Sequence, residues 1–361
     1  MEAGSGAPDL AQIEYYALPE YVIRGYVQDL SGYGADDFSD FFTPGTWASV
    51  AIQGGVYALP MDSGPMAWFY NKEVMDKAGV NPDEVRTWDD FYEAAKKVRA
   101  TGSYITSDSG DAGFFDSMTW LAGATPFETG EDGTSVKINL TGDDKVQSFI
   151  DFWQKLIDED LIDTKTAGWT DEWNRGLNDG SIASLLTGAW MPYNLLSGAP
   201  DGDGKWRIAQ MPTLDGSETN SENGGSSLAV IKTDDEAKAE AAYKFAKYAD
   251  GVGVRVEGGA FPADNETLAS EDFLNMTSLT DSEGNAHEYF GGQKFNEVLA
   301  KAAANVSTGY KFLPFEVNAR NVYADHAGGA FTDKSITLEE GIASWETALK
   351  EYAEQQGYTV E

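Results

Sequence analysis

The sequence predicts an α/β protein whose two lobes are joined by a hinge of several strands. Its 361 residues, 42% of them hydrophobic, are enough for two packed cores, because a single core usually stops growing near about 250–300 residues. Patterns of buried strands and of amphipathic helices both occur along the chain, as is typical of an α/β fold. Three extended segments, residues 55–71, 224–231 and 310–315, are interpreted as crossings between the lobes. Three crossings imply that each lobe takes chain from separate segments.

Helices are predicted where apolar residues recur three and four positions apart. The clearest pattern covers residues 143–157, whose apolar side chains share one face while the charged ones stay outside. Thr87 with Asp90, and Thr337 with Glu340, fit the capping box that starts a helix. We therefore expect a helix to begin at each of these threonines.

The first crossing is the segment around which the rest of the chain is organised. Alternating residues of segment 55–71 predict two strands around a kink at residues 62–65. Asp62 and Ser63 lie at that kink, and Trp68 follows it in the second strand. We interpret the kink as a hinge, and we expect a ligand to bind in the cleft beside it.

Other candidate ligand contacts stand near the ends of predicted elements. Glu14 and Tyr15 follow a short strand, where open α/β sheets place ligand contacts, although an exposed carboxylate beside a packing tyrosine fits the sequence equally well. Asp116, among aromatic residues, is either a hydroxyl acceptor or a helix cap. Trp190 ends a strand, where an indole either fills the core or covers the apolar face of a sugar ring.

The composition excludes several kinds of site. No cysteine is present, so disulfides, thiolate zinc sites and cysteine nucleophiles are excluded, and His287 and His326 are the only histidines. The net charge of −35, from 60 acidic against 25 basic residues, argues against nucleic acid or an anionic membrane surface as a partner. No run reaches the length of a membrane span, and no signal peptide is visible in residues 1–20. We expect neither a cofactor nor a metal ion.

Several segments, taken together and in order, resemble one family of transport proteins. They are GAPDLAQIEYYALPEY, VYALPMDSGPMAWFYNKEV, KAGV, TWDDF, LLTGAW, WRIAQMP, GGSSLAVIK, AAYKFAKY and the closing helix. The set resembles the extracellular solute-binding proteins of ABC sugar importers, the family that includes the maltose-binding protein, over essentially the whole chain. The resemblance implies a two-lobed, periplasmic-binding-protein-like α/β fold. It also implies a protein that is not an enzyme, captures an oligosaccharide between its lobes and presents it to a membrane permease.

The resemblance also implies ligand contacts in both lobes and at the crossings. The candidates are Glu14, Tyr15, Trp47, Asp62, Ser63, Trp68, Asp116, Trp190, Gly225, Ser226 and Arg320. Trp190 matches the family's stacking aromatic, and Gly225 matches the second crossing, where glycine lets backbone donors approach a ligand. Arg320, just past the third crossing, would supply a forked donor to sugar hydroxyls.

The same resemblance divides the chain into lobes and implies that the first lobe is incomplete. We expect an N-terminal lobe from residues 1–62 and 231–309, and a C-terminal lobe from residues 63–230 and 310–361. Family members ordinarily begin with a secretion signal, often with a lipid-anchored cysteine, followed by a strand, a helix and a strand before the GAPD stretch. A unit of this kind, about 30 residues or more, is absent here, so we expect exposed strand edges and low stability of a truncated first lobe. The full-length precursor would be a lipid-anchored monomer at the extracellular face of the membrane.

Two other classes of function stay open on the residues alone. A glycoside hydrolase would also line its cleft with carboxylates and aromatic rings, but acids are too abundant here to identify a catalytic pair. The chain has no nucleophile elbow, no P-loop and no dinucleotide fingerprint. A peptide-binding or polyamine-binding protein on the same scaffold would use acidic residues as well.

Overall fold

The computed structural model describes residues 6–251 and 260–361. The α-helices are Leu18–Ile23, Pro44–Val50, Lys72–Ala78, Trp88–Arg99, Ala112–Leu121, Asp144–Asp158, Asp171–Asp179, Met191–Gly198, Glu236–Gly251, Asn265–Ala269, Glu271–Leu274, Phe295–Ala304, Glu316–Thr332 and Leu338–Gln355. The strands are Leu10–Glu14, Ala51–Ile52, Gly55–Val56, Leu59–Pro60, Met66–Asn71, Phe127–Thr129, Ser135–Ile138, Ser184–Gly188, Trp206–Ala209, Ser226–Val230, Leu279–Thr280, Ala286–His287 and Thr359–Val360. The prediction of an α/β protein is therefore confirmed. Within these two ranges, no helix combines the length and the apolar character that a membrane crossing requires.

Two helices begin where the sequence predicts. Thr87 Oγ1 accepts a hydrogen bond from Asp90 N at 3.0 Å, and Asp90 Oδ2 accepts one from Thr87 N at 2.9 Å. The same reciprocal pair joins Thr337 and Glu340. Each pair satisfies backbone donors that a helix start would otherwise leave free. Both predicted capping boxes are confirmed.

A small antiparallel sheet forms one half of the molecule. Its strand order is Leu10–Glu14, Ser226–Val230, Leu59–Pro60, with Glu14 opposite Ser226. Val50 packs in the cluster on one face of this sheet, and Ala242 packs in the cluster on the other. Within the part of the chain that the structure describes, the first strand is paired along one edge only. The expected low stability of this half stays a prediction.

A larger antiparallel sheet forms the other half. Its strand order is Ser184–Gly188, Met66–Asn71, Trp206–Ala209. Alternate residues of the central strand point to opposite faces, so Trp68 packs in one hydrophobic cluster and Phe69 in another. All six residues of this strand are buried. The larger half therefore has a separate core on each face of its sheet.

Two of the predicted crossings connect these sheets. The strand before residues 61–65 belongs to the small sheet, and the strand after them belongs to the larger one. Residues 210–225 connect the larger sheet back to the small one. These two connections are neighbours, and the candidate site is built around them. The chain passes from the small half to the larger one again between Ala263 and Leu268.

The third crossing predicted at residues 310–315 is wrong. Apolar residues from Leu268 to Ala303 already pack in one core of the larger half, and helix Glu316–Thr332 packs in the other. Residues 310–315 are not a strand, and they join two parts of the same half. The sequence had placed residues 231–309 in the first lobe because an apolar helix face does not reveal which sheet it covers. The exact lobe boundaries stay a prediction.

Candidate functional site

The two hinge connections are held together by Asp62. Ser226 N donates to Asp62 Oδ1 at 2.6 Å, and Ser226 Oγ donates to the same oxygen at 2.7 Å. Tyr15 Oη donates to the backbone oxygen of Asp62 at 2.7 Å. Tyr15, at the end of the first strand, and the two crossings therefore meet at Asp62. Contact of Tyr15, Asp62 and Ser226 with a ligand stays a prediction.

Gly225 permits the close contact between the second crossing and Tyr15. Its φ is +92°, in the left-handed region that favours glycine. A Cβ built at this position would lie 2.7 Å from the Tyr15 ring, closer than carbon atoms pack. Tyr15 N donates to the Gly225 carbonyl at 3.2 Å. The prediction that a close backbone approach requires glycine here agrees with this geometry, although the approaching group is a protein ring.

A buried acid that the sequence analysis missed, Glu222, lies between the two crossings. Ser63 Oγ donates to Glu222 Oε1 at 2.8 Å, while Oε2 has no hydrogen-bond partner among the described residues. Burial, with a smaller contribution from the Asp62 charge, raises the pKa of Glu222 to about 8. Ser63 itself is fully buried, so its hydroxyl holds Glu222 and does not contact a ligand.

Glu14 presents a half-buried carboxyl group beside the hinge. Burial and the nearby Asp62 charge raise its pKa to about 7, and the positive charge of Arg320 opposes that shift. At neutral pH the group is therefore divided between its protonated and ionised forms. A carboxyl in that state can both donate and accept hydrogen bonds, which suits a ligand rich in hydroxyl groups.

Arg320 is fixed by acids beneath it and by an aromatic ring over it. Its Nε and Nη2 lie 2.9 and 2.8 Å from Asp116 Oδ2, and Glu316 Oε1 lies 3.8 Å from Nε. The guanidinium carbon lies 3.8 Å from the ring centre of Tyr16, within the range of a cation–π contact. Burial raises the pKa of Asp116 to about 6, opposed by the arginine. Asp116 is 1% exposed, so it positions Arg320 and does not itself meet a ligand.

Trp190 lies on a cavity of about 330 Å³. The indole is half-buried, and its Nε1 donates to the Asn223 carbonyl at 2.7 Å. The cavity is also lined by Trp169, Trp173 and Asp111. Its size falls within the range of small-molecule sites, about 300–1,000 Å³. The indole of Trp190 therefore lines the cavity and also packs against one core cluster of the larger half. Its predicted stacking on a ligand stays a prediction.

The tryptophan cavity and the Arg320 cluster are parts of one surface. Asn223 Nδ2 donates to the Gly113 carbonyl at 3.4 Å, and a Cβ built at Gly113 would lie 3.1 Å from Asp111 Oδ1 and 3.2 Å from Arg320 Nη1. Gly113 therefore lies close to both groups. Trp190, Asn223 and Arg320 are neighbours through this glycine, and the charge of Arg320 in turn acts on Glu14.

A larger cavity lies elsewhere and is a weaker candidate. It measures about 640 Å³ and is lined by helix Pro44–Val50, Trp120 and residues 307–312. Of the predicted ligand contacts, only Tyr15 lines it. Its residue Phe312 lies 5.5 Å from the Arg320 guanidinium carbon, so this cavity adjoins the Arg320 cluster from another side. Because Trp190 and the hinge residue Asn223 line the smaller cavity, we place the candidate site at the tryptophan cavity and the hinge.

Besides Ser63 and Asp116, two further predicted ligand contacts, Trp68 and Trp47, are corrected by the structure. Trp68 is 0% exposed and packs against Phe91 at 5.4 Å between ring centres, because it points to the core face of the central strand. Trp47 stacks on Phe42 with ring planes 8° apart, and it packs against the two clusters of the small half. The remaining candidates, from Glu14 to Arg320, are brought together around the hinge and its neighbouring cavity.

Four site residues escaped the sequence analysis: Tyr16, Trp169, Glu222 and Asn223. Tyr16 adjoins two candidates that were named, and that adjacency was a usable signal. Glu222 and Asn223 lie in a polar loop that ends at Gly224, and nothing local in such a loop indicates burial. Trp169 precedes helix Asp171–Asp179, and its position before a helix gives no local sign that it lines a cavity.

Comparison with known proteins identifies a family. Residues 1–251 match the family described as bacterial extracellular solute-binding protein. An arabinooligosaccharide-binding protein of Halalkalibacterium halodurans is 30% identical over 260 residues, which cover 69% of this chain and 56% of that protein. The chain spans about half the length of the curated relatives it matches.

Solved structures share the fold. The ABC transporter associated binding protein from B. animalis subsp. lactis Bl-04, in complex with β-1,6-galactobiose, is 58% identical with a TM-score of 0.90, covering 100% of this chain and 88% of that one. The galacto-N-biose-/lacto-N-biose I-binding protein from Bifidobacterium longum, in complex with lacto-N-biose, is 28% identical with a TM-score of 0.81, covering 98% of this chain and 84% of that one. These likenesses confirm the predicted two-lobed, periplasmic-binding-protein-like fold. The chain belongs to the bacterial extracellular solute-binding protein family.

Proposed function

We propose that this protein binds an oligosaccharide in the cleft beside its hinge and delivers it to the membrane permease of an ABC transporter. The observation that carries the proposal is that Trp190, Asn223, Arg320 and Glu14 lie near one another beside the hinge. The indole can cover the apolar face of a sugar ring, and the amide, guanidinium and carboxyl groups can form hydrogen bonds with its hydroxyls. On this proposal the protein acts as a monomer outside the cell, and its precursor carries a lipid anchor.

The energetics of such a site are modest. Each buried sugar hydroxyl without a partner would cost about 1–3 kcal/mol, so Glu14, Asn223 and Arg320 must satisfy the hydroxyls that closure buries. Indole rings cover the apolar C–H faces of the sugar. A micromolar dissociation constant corresponds to only about 8 kcal/mol, which a few charge-assisted hydrogen bonds and stacking contacts can supply. Closure would then present a distinct ligand-bound shape to a permease.

The ligands of two structural neighbours suggest which sugar to test first. The structural neighbour at 58% identity holds β-1,6-galactobiose, and the second holds lacto-N-biose, so both ligands are galactose-containing disaccharides. We therefore propose galactose-containing β-linked disaccharides, and β-1,6-galactobiose first, as the ligand class.

Titration calorimetry with a sugar panel tests the proposal. The panel includes β-1,6-galactobiose, lacto-N-biose, lactose and arabino-oligosaccharides, with a peptide and a polyamine as non-sugar controls. Saturable heat with one class of sugar, and recovery of that sugar unchanged, supports a binding protein. Release of monosaccharides would indicate a glycoside hydrolase, and heat with the polyamine alone would indicate another solute.

A substitution at the stacking indole tests the location of the site. Trp190→Ala should abolish measurable sugar binding while the thermal unfolding transition stays cooperative, because the half-buried indole lines the cavity and packs only at the margin of a core cluster. Trp47→Ala is the matched control, since that indole is also half-buried but stacks on Phe42 in the small half and does not line the tryptophan cavity. Unchanged affinity of the Trp190 variant would remove this residue from the site.

A further inference from the structure

Trp169 is the outermost of three indoles around the tryptophan cavity. Its side chain is 60% exposed, whereas Trp173 is 6% exposed and Trp190 is half-buried. Trp173 Nε1 donates to Ser107 Oγ at 3.0 Å, and Trp190 Nε1 donates to Asn223 O at 2.7 Å. Among the described residues, no hydrogen bond is made by the indole nitrogen of Trp169. Two of the rings are thus anchored to the protein, and the third lines the cavity as a mostly exposed ring.

The three rings are too close together for a sugar to lie between them. The centre of Trp169 lies 5.7 Å from that of Trp190, with a tilt of 31°, and 5.3 Å from that of Trp173. A pyranose sandwiched between two rings needs a contact distance of about 3.5–4.0 Å on each side, which is about 7–8 Å between ring centres. Trp169 therefore covers part of the Trp190 ring, and an arriving ligand meets Trp169 first.

The backbone holds Trp169 in an unusual conformation at this position. Its φ is +66°, in the left-handed region that a bulky residue rarely adopts. The next residue, Thr170, anchors the turn: its Oγ1 donates to Ala167 O at 2.8 Å and accepts from Trp173 N at 3.3 Å. Backbone strain of this kind persists where the surroundings impose it, and it is concentrated at ligand sites. Holding an exposed indole in a strained, capped turn costs more folding free energy than placing a flexible residue at the surface.

Polar groups suited to a sugar line the same cavity. Asp111 and Asn223 are both on its wall, and Asp111 lies next to Gly113, which also touches Arg320. A sugar unit stacked on Trp169 would therefore have an apolar surface on one side and hydrogen-bonding groups at its edge.

We propose that Trp169 supplies the ligand-facing stacking surface of the site, supported from behind by Trp190 and Trp173, and that it thereby determines affinity for the sugar unit bound at this end of the cleft. The inference rests on the proposed function, and it names a residue that neither the chain's pattern nor its predicted contacts had indicated. Trp190 contributes by holding Trp169 in place as well as by its own partly exposed ring.

Substitutions that remove the ring without straining the turn test the proposal. Trp169→Gly suits a positive φ, and Trp169→Asn is a second variant without the ring that tolerates it. We expect each to weaken binding of β-1,6-galactobiose by about tenfold or more, as is common for a central aromatic contact. Trp169→Phe, which keeps an aromatic face, should lose much less. The thermal midpoints should stay close to that of the wild type, because the removed side chain is mostly exposed.

A matched control and a spectroscopic readout separate stacking from a structural effect. Tyr248→Ala removes a similarly exposed ring, 66% exposed, from helix Glu236–Gly251 in the small half and should leave the affinity unchanged. Ligand-induced change in tryptophan fluorescence should be strongly reduced in both ring-less Trp169 variants. Wild-type affinity in those variants would overturn the inference alone. Failure of the wild type to bind any sugar of the panel would overturn the proposed function and this inference with it.

Discussion

Glu222→Gln should stabilise the protein at alkaline pH, because it removes an ionisable group buried between the hinge connections. The wild-type carboxyl group is 4% exposed, and burial raises its pKa from 4.5 to about 8. Glutamine has nearly the shape of the protonated acid, and its carbonyl can still accept the bond that Ser63 Oγ donates at 2.8 Å. At the position of Oε2, which has no partner among the described residues, the amide leaves N–H donors unpaired and the protonated carboxyl leaves an O–H donor unpaired. Most of this desolvation cost is therefore common to the two proteins.

The size of the effect follows from the shift in pKa. Because the pKa of Glu222 is higher in the folded protein than in the unfolded chain, there is a range of pH in which the folded protein keeps this proton and the unfolded chain has lost it. The contribution of Glu222 to stability is therefore intact below about pH 4.5 and is lost as the pH rises towards 8. One pKa unit corresponds to about 1.4 kcal/mol, so the advantage of the glutamine variant should grow by on the order of 3 kcal/mol between about pH 5 and pH 8.

Urea denaturation at several pH values measures this difference. The free energies of unfolding of the wild type and of Glu222→Gln should nearly agree near about pH 4.5 and separate progressively from there to about pH 8. Glu218→Gln is the control, since that acid lies in the same loop but is exposed and paired with Lys301 at 2.7 Å; it should not become more stable than the wild type as the pH rises. A difference between wild type and Glu222→Gln that stays constant across this range would show that Glu222 is not a buried proton-binding group.

Two further substitutions test the packing that positions the site. Gly225→Ala should destabilise the protein by about 1–3 kcal/mol in thermal unfolding, because a methyl group would meet the Tyr15 ring at 2.7 Å. The control is Gly204→Ala, at φ +78° with nothing within 4 Å, which measures the cost of backbone strain alone. An equal loss of stability in both variants would refute the contact with Tyr15. Arg320→Met should lower the free energy of unfolding by about 3–5 kcal/mol near pH 8, because Asp116 and Glu316 lose their buried cation. The loss should be smaller near pH 5.5, because both carboxyls, with pKa values of about 6 and 8, are then more fully protonated. Arg99→Met breaks an exposed pair with Asp160 and should cost no more than about 1 kcal/mol; a pH-independent loss at Arg320 would contradict the role of the buried acids.

The helix starts and the order of the connections were available from local sequence. The capping boxes at Thr87 and Thr337 depend on residues three positions apart, so no distant contact is needed to recognise them. The kink at residues 62–65 was recognisable in the same way, because Gly64 and Pro65 interrupt an alternating strand pattern. The hinge acid Asp62 follows from that kink, and the structure places its carboxylate between the two crossings.

The placement of individual side chains depended on which face of an element is covered. Trp68 lies within a strand and Trp190 follows one, yet Trp68 is fully buried and Trp190 lines the cavity. The sheet Ser184–Gly188, Met66–Asn71, Trp206–Ala209 carries a core on each face, so alternation along its central strand marks no solvent side. A strand pattern by itself therefore could not separate a ligand-facing indole from a core one.

By itself, the sequence determined the α/β character, the capped helices and the identity of the hinge segment, because these depend on neighbours a few residues apart and on an ordered set of motifs. Only the tertiary structure decided that Glu222 lies against Ser63, that Arg320 lies between Asp116 and Tyr16, and that Leu268 to Ala303 pack in the larger half. Those contacts join residues up to 304 positions apart in the case of Arg320 and Tyr16, and burial at such distances is set by the packing of whole elements. The chemistry of the site is therefore a property of the folded hinge, assembled from polar residues that carry no local sign of their role.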